Sequence, residues 1–93
     1  MTYVRCTVSE GLRPSEITVE VTDQEGRSEF LRVEQDYVKS FDGNSHLPVG
    51  IIVFDNERAL IELPHEADSG ANRLWVARKD VKEVSAKPMV PAT

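Results

Sequence analysis

The densest group of side chains that could do chemistry is His65, Glu66 and Asp68. Imidazole nitrogens and carboxylate oxygens bind divalent cations, and the same groups exchange protons in acid–base catalysis. A metal centre wants three or four converging donors, so this loop would need help from elsewhere. The only other histidine is His46, and the two histidines bracket the apolar stretch from Leu47 to Pro64. An antiparallel hairpin over that stretch could bring them together, yet neither spacing is a metal signature. A solvated acidic loop accounts for the cluster more simply.

Nucleophilic chemistry has less to work with. Cys6 lies on the inward face of an expected strand, where a thiol behaves as a small inert hydrophobe. Ser45 adjoins His46, and Ser69 adjoins Asp68, only in sequence. The chain has no glycine-rich phosphate loop and no nucleophile elbow. An enzyme is not expected, and no cofactor or metal is expected.

The third candidate is Trp75 with the loop from Pro64 to Arg73. Two roles are open. Trp75 packs over the domain beneath the loop, or it forms the centre of a binding surface together with Arg73 and His65, because Trp and Arg are favoured at interface hot spots. In the second role Glu66 and Asp68 form an acidic rim that favours a basic partner. Asn72 completes the candidate set. The loop also has a purely structural account. Asp68 and Asn72 fold it through side-chain to backbone hydrogen bonds, and Arg73 pairs with Glu66 or Asp68. The expected function is a non-catalytic module that binds a protein or peptide. The alternative is a small-molecule or metal-binding protein using the Pro64–Arg73 loop.

The elements that must position these residues are short strands. The 93 residues fit one small domain. Its net charge is −5 and its sequence pI about 4.9, and its eleven basic residues are scattered. That balance argues against nucleic-acid binding and against an anionic membrane surface. One cysteine allows no internal disulfide. The first residues, MTYVRCTVSEGLRP, lack the basic-then-apolar pattern of a secretory signal. Both observations predict a cytoplasmic protein.

Val4, Cys6 and Val8 alternate with polar residues and predict a strand with those three side chains inward. Ile17, Val19 and Val21 alternate likewise. Asp23 to Gly26 is a turn, and Ser28 to Val33 is the second arm of a hairpin, with Phe30 expected inward and either Leu31 or Val33 on the other face. Glu34 to Ser40 reads as a turn or a single 3₁₀ or α turn. Asp42 to Ser45 is a loop, and Pro48 marks the entrance of the next strand. Ile51–Phe54 and Ala59–Leu63 flank a tight turn and predict paired strands buried on both faces. Arg73 to Ala77 is a further strand, and Val81 and Val84 close the pattern.

Six or seven short antiparallel strands predict an all-β fold, a small barrel over residues 1–84 with a disordered tail at 85–93. Trp75-Val76, the turn Ala77 to Asp80 and the strand Val81 to Val84 resemble the close of an SH3-like barrel. That resemblance implies the barrel fold and a strand that borders a peptide groove. The combination LPVG…ALIELPHEADSGANRLWV is also similar to a family of short uncharacterised bacterial proteins, a resemblance that implies no activity.

Overall fold

The computed structural model describes residues 1–84, and the expected tail, 85–93, lies outside the described residues. Nine strands appear in the order β1 (Thr2–Arg5), β2 (Thr7–Glu10), β3 (Glu16–Thr22), β4 (Ser28–Glu34), β5 (Lys39–Phe41), β6 (Asn44–Asp55), β7 (Arg58–Glu62), β8 (Arg73–Ala77) and β9 (Val81–Glu83). Two 3₁₀ turns, Gln35–Tyr37 and Arg78–Asp80, precede β5 and β9. Every pairing is antiparallel. The larger sheet runs β8-β7-β6-β1-β9, with β5 also on β6, and the smaller runs β2-β3-β4. The all-β expectation holds. The two sheets face each other without closing into a continuous barrel.

The count exceeds seven for local reasons. The expected strand from Tyr3 to Val8 divides at Cys6, so that β1 joins the large sheet and β2 the small one. β5 forms because Asp42 and Gly43, both at positive φ (54° and 81°), make a two-residue reversal that returns the chain directly into β6. Asn44 and Ser45 are therefore strand rather than loop. The 3₁₀ turn at Gln35–Tyr37 is as expected.

The core lies between the sheets. Val19, Val21, Leu31 and Val33 of the small sheet face Val4, Leu47, Ala59, Ile61, Leu74 and Val76 of the large one. Period-two alternation supplies both faces. Phe30 is a correction: it is 41% exposed, while Leu31 and Val33 are both buried on the same face. The register explains this, because Leu31 pairs with inward Val19 and Phe30 with outward Glu20. Val8 is a second correction. It shares the inward face with Val19, but β2 lies beyond the cover of the large sheet and all four of its residues are exposed.

Two further corrections concern β6. Pro48 lies inside the strand, opposite Tyr3. Cys6 N donates to Ser45 O, and the alternation from that pair turns the Pro48 nitrogen away from β1. On that other edge β5 pairs only up to His46 and β7 only from Gly50, so the missing N–H falls in a gap in the pairing. The run Ile51–Phe54 is not buried on both faces. A bulge between Ile51 and Val53 inserts one residue, so Ile51 and Phe54 both pack on the core while Ile52 and Val53 are exposed.

Ile61 is fully buried, while its neighbour Leu60 faces outward and is half-buried. Ile61→Ala should cost about 2–5 kcal/mol through lost transfer energy and the cavity left behind, and Leu60→Ala clearly less. Urea melts compare the two, and equal midpoints would contradict this assignment of faces.

Candidate functional site

The strand register sorts the candidate residues. On β8, Leu74 and Val76 point into the core, so Arg73, Trp75 and Ala77 face outward. On β7, Ala59 and Ile61 point inward, so Arg58, Leu60 and Glu62 face outward. Cross-strand pairing aligns these side chains in three rows: Asp55–Arg58–Ala77, Val53–Leu60–Trp75 and Gly50–Glu62–Arg73. The central row is apolar. The outer rows carry the charge.

Each charged row is internally paired. The Arg58 guanidinium donates to Asp55 Oδ2 at 3.1 and 3.2 Å and stacks 3.9 Å from the centroid of the Trp75 ring. Asp55 thereby holds Arg58 over the indole, a cation–π arrangement. At the other flank Arg73 lies 3.9 Å from Glu62, which also accepts a 3.4 Å hydrogen bond from Asn72 Nδ2. Exposed pairs of this kind contribute about 0–1 kcal/mol to folding. The effect of the Asp55 pair is geometric, because it holds the Arg58 side chain over a half-buried tryptophan, whereas the Arg73–Glu62 contact is looser. Val53, 43% exposed, leaves the far end of the apolar row open.

The loop Pro64 to Asn72 turns to the opposite side and covers the edge of β4. Asp68 N donates to Phe30 O at 2.8 Å, and the Asp68 carboxylate accepts from the Arg32 guanidinium. That carboxylate raises the Arg32 pKa above its ordinary value, through the hydrogen bond first and charge second. His65 Nε2 is 2.7 Å from Arg32 O, and Nδ1 is 3.0 Å from Glu66 O. Ser69 Oγ donates to Glu29 at 2.6 Å. Ala67 is buried beneath the loop, and its N–H donates to Ala71 O. The strap gives hydrogen-bonding partners to carbonyls that an edge strand otherwise presents to solvent.

The candidate set therefore divides. Trp75, Arg73 and Asn72 share the outer sheet face, whereas His65, Glu66 and Asp68 belong to the strap on β4. The expected pairing of Arg73 with Glu66 or Asp68 is corrected. Arg73 meets Glu62 across the strands and Asp68 meets Arg32, because β8 projects Arg73 outward while the loop folds the other way. His46 packs against Phe41, which contacts Tyr3, and does not join His65. Among the described residues, no group of three or more His, Cys, Asp or Glu side chains is placed to hold a metal. The partners that sequence reasoning missed are Arg58, Leu60, Asp55 and Val53. The alternation Arg58-Ala59-Leu60-Ile61-Glu62 carries their direction, but only the register with β8 places them beside Trp75.

No helix among the described residues is long and apolar enough to cross a membrane. Burial pushes the Cys6 thiol from its ordinary 9.0 up to about 11, so it is protonated at neutral pH. Below pH 9 the thiolate fraction of the folded chain should be roughly a hundred-fold smaller than that of the unfolded chain. The stability that comes from a neutral thiol is present below pH 9 and is lost as the pH rises toward 11. Iodoacetamide labelling with and without urea checks this, and equal rates would contradict it. Comparison with known proteins gives no match: no family model, curated protein or solved structure corresponds to this chain.

Proposed function

We propose that this chain is a non-catalytic interaction module that binds a protein or peptide partner through the outer face of β6, β7 and β8. The observation that carries this reading is the outward-facing apolar row Val53–Leu60–Trp75, exposed at Val53 and half-buried at Leu60 and Trp75, which lies between two ion pairs with Arg58 stacked on the indole. Rigid aromatic area with a held Arg58 orders little on binding, and Trp and Arg are the residue types that dominate interface energetics. The strap on β4 uses His65, Asp68 and Ser69 internally, which favours the sheet face over a ligand held in the loop.

The SH3-like reading is supported by the order β9-β1-β6-β7-β8 and by the 3₁₀ turn between the Trp75-Val76 strand and β9. The sheet β2-β3-β4 is then an elaboration inserted between β1 and β6. It carries eight acidic against three basic residues over positions 7–37, which matches the net charge of the whole chain. A partner of basic character fits that field, with association that slows as salt rises. The single, half-buried cysteine suits a reducing cytoplasm.

Trp75→Ala and Arg73→Ala test the surface. Capture of a partner by the parent chain should be lost or reduced at least ten-fold in folded Trp75→Ala, a change of about 1.4 kcal/mol or more. Arg73→Ala should weaken capture with little change in its urea midpoint. Loss of stability with unchanged capture by the folded fraction would leave Trp75 as a packing residue only.

A further inference from the structure

We infer that the groove over Tyr37 is a second binding site, one that takes an extended segment of a partner protein bearing an arginine or lysine. Two depressions, of about 440 and 310 Å³, meet at Tyr37 and Pro64. Tyr37, on the 3₁₀ turn before β5, is 42% exposed. Pro48, Val49 and Pro64 supply rigid apolar walls. The groove adjoins the outer sheet face at Gly50, Glu62 and Asn72, but neither Trp75 nor Arg58 lines it.

The gap in strand pairing favours an extended occupant. Between the ends of β5 and β7, the edge of β6 has no partner strand at Pro48. The alternation that turns the Pro48 nitrogen from β1 also turns its carbonyl toward the gap. A segment in extended conformation can donate an N–H there, as in strand addition.

Charge fixes the chemistry of that occupant. Glu16 and Glu34 stand at one end of the groove, and Glu62, already paired with Arg73, at the other. Among the described residues Glu16 and Glu34 make no ion pair. Their hydrogen bonds come from neutral donors, Leu12 N at 3.2 Å and Ser15 Oγ at 3.3 Å. The basic side chains lining the same groove are already engaged: Arg32 is held by Asp68, and both ring nitrogens of His65 lie against backbone carbonyls. The uncompensated field is negative, and a guanidinium or ammonium completes it.

The test is an NMR titration of the ¹⁵N-labelled chain with millimolar N-acetyl-Ala-Arg-Ala-amide and with the same peptide carrying neutral citrulline. The arginine peptide should shift the amides of Tyr37, Gly50, Glu62 and Asn72 saturably, and the citrulline peptide should bind about ten-fold more weakly. The double variant Glu16→Gln/Glu34→Gln should show a similar loss at an unchanged urea midpoint. Trp75→Ala should leave the peptide affinity unaltered, so failure here is distinct from failure of the sheet-face surface. Absence of saturable shifts, equal affinity for the two peptides, or shifts centred on Arg58 and Trp75 would overturn the proposal. So would concentration-dependent shifts of the groove amides without peptide, which would assign the groove to a second copy of the chain. The comparison of the two peptides on the parent chain stands even if the double variant unfolds.

Discussion

The twelve-residue strand Asn44–Asp55 is the constraint on which the rest of the molecule depends. One of its edges carries β1, and the other carries β5 and then β7, so three strands take their register from one. A strand of this length must bend to serve two directions. The bulge at Ile52 supplies the bend and shifts the alternation by one residue. That single inserted residue lets Ile51 and Phe54 reach the core and turns Val53 outward. The apolar row beside Trp75 begins with that shift. Pro48 acts on the same strand, because a residue without an N–H suits the gap between the β5 and β7 pairings. The gap opens the groove that Tyr37 borders.

The second determinant is how the small sheet is held against the large one. Apolar burial between Val19, Val21, Leu31 and Val33 and the facing residues of the large sheet supplies the attraction. Direction comes from polar contacts at the margins. Gln24 N donates to Trp75 O, so the β3–β4 turn docks on the edge of β8. The strap from Pro64 to Asn72 docks on the edge of β4. The β3–β4 turn is itself fixed by Asp23, whose carboxylate accepts the N–H groups of Glu25 and Arg27 at 2.8 and 2.9 Å. These contacts span the opening that a closed barrel would seal with strand pairing. They also tie the backbone of Trp75 in place, so the ring presents to solvent from a fixed support.

The same architecture separates charge. The small sheet and its turns hold the excess of carboxylates, while the outer face of β6, β7 and β8 carries charges of both signs in paired rows. Paired charges leave the outer face close to neutral, whereas carboxylates without an ion pair among the described residues, at Glu16 and Glu34, leave the groove over Tyr37 negative. One small fold therefore offers two surfaces of different character, and the strap whose carboxylate Asp68 neutralises Arg32 keeps the second of them acidic.

Local alternation was enough to read the class of this fold from sequence. Ile17-Val19-Val21 and Leu74-Val76 declare strands with one apolar face, and Asp23–Gly26 and Asp55–Arg58 declare the reversals between strands, because period and turn chemistry are properties of neighbouring residues. That the described residues form no α-helix, only two 3₁₀ turns, follows from the same pattern. What sequence alone left undecided is non-local. Phe30 and Leu31 are equally apolar neighbours, and only the register of Leu31 with Val19 decides which one is buried. Ile52 and Val53 read as core until the bulge turns them out. Arg73 has several acids within reach along the chain, and it meets Glu62 because strand pairing places that residue beside it. Trp75 and His65 lie ten positions apart and end on different sides of the molecule, since a β-strand projects its side chains by parity while a loop follows the edge it covers. Register and edge pairing arise from contacts distant in sequence, so they belong to the tertiary structure.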